Sequence, residues 1–179
     1  DLPHLVMLQE QNRMHPKIGG GVSELFYNDI RGRSGHGLLP GPRAKMRVTD
    51  TSSILGQTTD KRILLIDTKD IGGWSSQPFG GSGRFNPTHV ALGLAILDRL
   101  IEDSVLIKGQ KEQFGIVTPY SGQANLYADS LQGDHREYCD TTSVGTAHRF
   151  QGGERDIMLF DFVLSESRKR HNRFIDSET

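Results

Sequence analysis

Four polar blocks in this sequence each follow a short apolar run: Gln11-Asn12-Arg13, Asp67-Thr68, Thr118-Pro119-Tyr120 and Gln151-Gly152-Gly153-Glu154. On parallel sheets, ligands gather at the carboxyl ends of the strands, where the connecting loops converge. Amide, hydroxyl, guanidinium and carboxylate groups in those places are candidates to share one edge of a sheet and hold a polar ligand. Some chemistries are excluded. A phosphate-wrapping P-loop needs a glycine-rich turn ending in Gly-Lys-Ser/Thr, and no Gly-Lys dipeptide occurs in the chain. A carboxylate pair closing an apolar strand is also missing, because Asp67 is followed by Thr68 and Asp161 by Phe162. His135, Cys139 and His148 lack the CxxC or HxxxH partner sets that a zinc site of three or four ligands requires, so no metal site is expected.

The elements that must position these blocks alternate in type. Leu5–Leu8, Ile63–Ile66, Phe114–Thr118, the short Thr142–Val144 and the run from Ile157 to Leu164 read as strands, mostly buried ones. A helix of about three turns is expected after His15-Pro16, with Ile18, Val22, Leu25 and Phe26 at helical spacing. Gly19-Gly20-Gly21 lies inside it, and each glycine costs roughly 0.8–1 kcal/mol relative to alanine. Asn86-Pro87 is a capped helix start, with Val90, Leu94, Leu97 and Ile101 forming one apolar face. A further helix carries Ala124, Leu126, Ala128 and Leu131. Strands alternating with amphipathic helices predict an α/β domain built on a mostly parallel sheet. Residues 31–60 and 68–85, rich in glycine and serine, read as excursions from it.

Composition agrees with this picture. The chain has 179 residues, the size of a single domain, with 35% hydrophobic and 24% charged residues. No apolar run approaches the ~20 residues that span a bilayer, and the single cysteine, Cys139, excludes an internal disulfide. An intracellular location, with no membrane partner, is expected. The net charge of −1 supplies no global attraction to nucleic acid, so any such contact must be local.

Three blocks in this order carry a family resemblance. Leu8-Gln-Glu-Gln11-Asn12-Arg13-Met14-His15-Pro16, with Leu25-Phe26-Tyr27 after it, resembles motif IV of the Upf-like superfamily 1B helicases. Gly115-Ile-Val-Thr-Pro-Tyr120-Ser-Gly-Gln123 is similar to the family's Ile-Thr-Pro-Tyr-x-x-Gln block. Val144-Gly-Thr146-Ala-His148-Arg-Phe150-Gln151-Gly152-Gly-Glu154-Arg-Asp156 resembles motif V. The resemblance implies a three-layer RecA-like fold. Residues 1–179 would form a single second RecA-like domain, ending before motif VI and lacking the P-loop.

It also implies roles. Arg13 would be an arginine finger reaching the γ-phosphate of ATP held on a first RecA-like domain, which also carries the magnesium ligands. Gln11, Asn12, Gln151, Gly152 and Glu154 would approach the nucleotide. Thr118, Pro119, Tyr120, Thr146, His148 and Arg149 would lie along single-stranded DNA or RNA. Asn12 stands where the family has a base-stacking tyrosine, a departure that implies stacking on adenine is weaker or supplied elsewhere. No ATP hydrolysis and no tightly bound cofactor are expected of these residues alone. The alternative reading is a degenerate, non-catalytic module that binds nucleic acid or protein.

Outside that resemblance, His15 reads as a structural residue satisfied by a backbone hydrogen bond, and Trp74 as an anchor for its loop. Asp67 reads equally well as a turn former, and Arg168–Arg173 as a solvated basic face.

Overall fold

The computed structural model describes residues 10–26, 39–41, 62–71, 75–76 and 83–164, and its chain divides into two compact units. The expected strand at Leu5–Leu8, Trp74, the run at Arg168–Arg173 and most of 31–60 lie outside the described residues. In the first unit, β1 (Glu10–Gln11) pairs in parallel with β2 (Leu39–Pro40), and α1 spans Pro16–Phe26. The helix starts at Pro16 because proline costs nothing at a first turn whose N–H has no helical partner.

In the second unit, α2 (Pro87–Glu102) begins on Asn86, whose side chain accepts from the His89 backbone N–H at 3.2 Å. It is followed by β3 (Phe114–Val117), α3 (Ser121–Gln132), β4 (Thr142–Gly145) and β5 (Ile157–Phe160). The three strands form a parallel sheet in the order β4-β3-β5, with Phe114 opposite both Thr142 and Ile157. The central strand is buried along its whole length, as its unbroken apolar character predicts. Val90, Leu94, Leu97 and Leu100 of α2 and Ala124, Tyr127 and Leu131 of α3 pack with Phe114, Ile116 and Val144 into one core. The fold is α/β with parallel strands, in keeping with a RecA-like domain.

Two expectations change. Ile63–Ile66 is not a strand, and Ile63 and Leu65 are 64% and 92% exposed. Apolar content marks a run for burial, but a strand also needs a neighbouring backbone edge to pair with, and no described residue pairs with this one. The last strand stops at Phe160 rather than continuing to Leu164, because Asp161 turns its side chain back onto the chain and Val163 adopts φ 70°. Within 68–85 the described pieces are a single 3-10 turn at Lys69–Ile71 and one antiparallel bridge between Ser76 and Phe85.

Candidate functional site

The first unit builds a tight turn around Arg13. The Gln11 carboxamide does most of the work: its Oε1 accepts from the backbone N–H of Arg13 at 3.0 Å and of Met14 at 2.7 Å. Its Nε2 donates to the Met14 carbonyl at 3.0 Å. Gln11 is therefore buried behind the turn, and Arg13 and Asn12 are exposed on it. The Asn12 side chain lies against the backbone of Gly41, whose N–H donates to the Gln11 carbonyl at 2.8 Å. Gly19 explains part of the glycine run in α1. A Cβ there would meet the Gln11 amide nitrogen at 2.7 Å, whereas Gly20 and Gly21 face open space.

His15 accepts at Nδ1 from the Lys17 backbone N–H at 3.1 Å, the structural role expected of it. Desolvation, with the charges of Arg62 and Lys17, holds its pKa below the ordinary histidine value.

In the second unit the loop after β3 is turned inward. Thr118 is fully buried and its backbone N–H donates to the Gly145 carbonyl at 3.2 Å. Tyr120 is also buried, and Pro119 is the half-exposed member of the trio. After β4, Thr146 is half-buried, and His148 and Arg149 stand exposed on a short 3-10 turn, Ala147–Phe150.

Gln151, Gly152 and Glu154 form the exposed loop that follows. Gly152 has φ +85°, a conformation that side chains adopt at a cost, so glycine is required there by the backbone. Arg155 fastens this loop to the sheet. Its Nη1 donates to the Glu154 carbonyl at 2.7 Å and its other nitrogens reach Ser143 Oγ at 3.1 and 3.3 Å. Its guanidinium also pairs with Glu112 at 3.2 Å and lies over the Phe150 ring.

Asp67 accepts from the Lys69 backbone N–H at 3.0 Å and pairs with its ammonium, the behaviour of a turn former. Thr68 is drawn elsewhere, to His89 Nε2 at 3.2 Å. That contact belongs to a buried cluster of Asn86, His89, Gln123, Tyr127 and Asp161, of which the sequence had singled out only Asn86, as a helix cap, and Gln123, as the last residue of a motif block. Burial raises the Asp161 pKa, but hydrogen bonds from His89, Gln123 and the Val163 N–H outweigh that and hold it below the usual carboxylate value. Burial and the Asp161 charge push the Tyr127 phenol well above its ordinary value, so it stays a donor. The signal that could have found this cluster is polar side chains on the core faces of α2 and α3, with His89 beside Val90 and Gln123 beside Ala124.

Comparison with known proteins follows the same lines. A family profile described as an AAA domain matches residues 3–178. Among curated relatives, the regulator of nonsense transcripts 1 of Takifugu rubripes is 26% identical over 160 residues, 88% of this chain. Its Drosophila melanogaster homolog is 26% identical over 167 residues, 90% of this chain. The probable helicase MAGATAMA 3 of Arabidopsis thaliana is 27% identical over 168 residues, 88% of this chain. The matched region is 13% of each of the first two relatives and 18% of the third, so the chain spans a small part of their length.

Proposed function

This chain belongs to that AAA domain family, as a Upf-like superfamily 1 helicase domain, and on that premise we propose that it is the second motor domain of an ATP-dependent helicase or translocase. The observation that carries the reading is the turn at Arg13. A buried glutamine amide makes its hydrogen bonds to two backbone N–H groups and a carbonyl, and so fixes the backbone of a turn on which Arg13 is exposed. Such an arrangement suits a residue that must meet a phosphate donated by another domain.

Each unit carries residue types suited to contact with a nucleotide. Arg13 neutralises charge on the γ-phosphate, and fingers of this kind are worth about 10³–10⁵ in rate. Gln11 holds that arginine from behind, and Asn12 lines the same turn with a small polar side chain in place of a stacking ring. Gln151, Gly152 and Glu154 offer an exposed loop with backbone donors and one carboxylate to the sugar side. ATP with magnesium, when bound on a first RecA-like domain, would supply the hydrolysis that drives movement. Single-stranded DNA or RNA runs along Pro119, Thr146, His148 and Arg149, with Thr118 and Tyr120 shaping the loop from within. Hydroxyl, backbone and guanidinium contacts to phosphate grip without reading sequence. No helix among the described residues is long and apolar enough to cross a membrane.

The test is Arg13→Ala in the full-length protein. ATP turnover is expected to fall by about 10³-fold or more, with single-strand affinity nearly intact. Normal turnover in that variant sinks the finger role. The second reading, a non-catalytic nucleic-acid- or protein-binding module, is favoured by Asn12 at the stacking position. It prevails if the unaltered full-length protein binds single strand but shows no strand-stimulated ATP turnover.

A further inference from the structure

Asp161 comes directly after β5, is buried, and has no part in the reading above. Its two oxygens serve different elements. Oδ2 accepts from Gln123 Nε2 at 2.6 Å and from the Tyr127 hydroxyl at 3.1 Å, both on α3. Oδ1 accepts from His89 Nδ1 on α2 at 2.8 Å, and from the Val163 backbone N–H at 2.8 Å. With its proton on Nδ1, the His89 ring leaves Nε2 to accept from the Thr68 hydroxyl at 3.2 Å.

Gln123 is held a second time: its Oε1 accepts from the Asn86 N–H at 2.7 Å and its Nε2 also donates to the Asn86 carbonyl at 3.2 Å. Asn86 closes the circuit by donating from Nδ2 to the Val163 carbonyl at 3.2 Å. Val163, fully buried at φ 70°, keeps a backbone conformation that a β-branched residue avoids unless it is held there.

Gln123 sits in the first turn of α3, which starts straight after Thr118–Tyr120, and the Ala124 N–H donates to the Tyr120 carbonyl at 3.1 Å. The lie of that turn therefore sets the lie of the loop before it. We propose that Asp161 is a positioning residue for the strand-facing loop: acting through Gln123, it sets how Pro119 and the main chain around it meet a single strand. The inference rests on the reading of that loop as part of the single-strand grip.

Asparagine tests it at nearly constant volume. Of the four groups facing the carboxylate, Gln123 Nε2 and the Val163 N–H, one at each oxygen, can only donate. The His89 ring and the Tyr127 hydroxyl, whose proton also reaches the His89 carbonyl at 2.9 Å, can accept as well. An amide nitrogen turned towards either oxygen's place meets one of these fixed donors, so at least one contact is lost whichever way the side chain points.

The experiment measures ATP turnover of the full-length protein against the concentration of single-stranded oligothymidylate and oligouridylate, for wild type, Asp161→Asn, Tyr127→Phe and Pro119→Ala. Asp161→Asn is expected to raise the strand KM about tenfold, the size of one to two lost hydrogen bonds, with kcat at saturating strand within about twofold. Tyr127→Phe, which removes the hydroxyl shared between Asp161 Oδ2 and the His89 carbonyl, is expected to raise KM about threefold. A folded Asp161→Asn protein with wild-type KM, or one in which kcat falls as steeply as KM rises, overturns the proposal. If Asp161→Asn does not fold, an unchanged KM in Tyr127→Phe overturns it. Pro119→Ala separates the two levels: a raised KM there, with no change in Asp161→Asn, removes this inference and leaves the grip standing. Wild-type KM in both removes the grip reading as well.

Discussion

The turn at Arg13 and the cluster at Asp161 solve opposite problems with similar chemistry. In the turn, a buried side chain bonds to backbone two and three residues away, and the charged group it presents is exposed. In the cluster, side chains 34 to 72 residues from Asp161 in sequence meet around its buried carboxylate. The turn is a local device that aims one side chain outward. The cluster is a long-range device that ties α2, α3 and the end of β5 to one another. The difference predicts that damage to the turn costs function with little stability, and damage to the cluster costs stability first.

Gln11→Ala is the sharpest way to break the comparison on the turn side. With its brace gone, Arg13 loses its fixed position, and a misplacement of about 1 Å is enough to cost about 10²-fold in turnover. Thermal melting is expected to move little. A turnover rate within a few-fold of wild type in the full-length protein shows that the turn holds itself without Gln11.

On the cluster side, Asp161→Ala leaves Gln123, Tyr127 and His89 without their shared acceptor. The expected loss is about 3 kcal/mol, read from urea unfolding of this domain. A loss under about 1 kcal/mol places the carboxylate in the weak class of surface ion pairs. The pH dependence has a definite sign. The folded Asp161 pKa lies below its unfolded value, so its contribution is fully present above the ordinary carboxylate pKa of about 4. It is lost as pH falls below that value and through the folded pKa. Acid titration of stability should therefore be steeper in wild type than in Asp161→Asn over this window, and parallel curves would remove Asp161 as the cause.

The smallest expected effect lies within α1. Gly21→Ala should stabilise the helix by about 0.8–1 kcal/mol, because nothing crowds a Cβ at that position. Gly19→Ala should forfeit that gain, since the new Cβ runs into the Gln11 amide that braces the turn. It should also lower turnover in the direction of Gln11→Ala. Equal stabilisation by both alanines, with turnover unchanged, means the close approach of Gln11 to Gly19 is dispensable.

How much of this was legible in the sequence follows the same division. The alternation of apolar runs and helical periodicity was enough for the α/β fold, the cap at Asn86, and the strands at Phe114 and Ile157. The apolar run Ile63–Ile66 misled, because composition registers a wish for burial and is silent about whether a pairing edge is present. Thr118 and Tyr120 were expected along a strand, and the structure buries both, leaving Pro119 at the surface. A motif records which residue types occur, and burial depends on what the rest of the chain packs over them.

The sequence alone determined the class of fold, the missing P-loop and the place of Arg13 in a helicase-like block, because each depends on neighbours within a few residues. Asp161 shows what only the tertiary structure decided. An aspartate two residues before a valine carries no message by itself. It becomes a hub because folding brings His89, Gln123 and Tyr127 within hydrogen-bonding reach of one carboxylate in a site that excludes water. In that dry setting an unpaired polar group is costly and a paired one is held firmly, so the positions of α2 and α3 are set by contacts that no stretch of sequence contains.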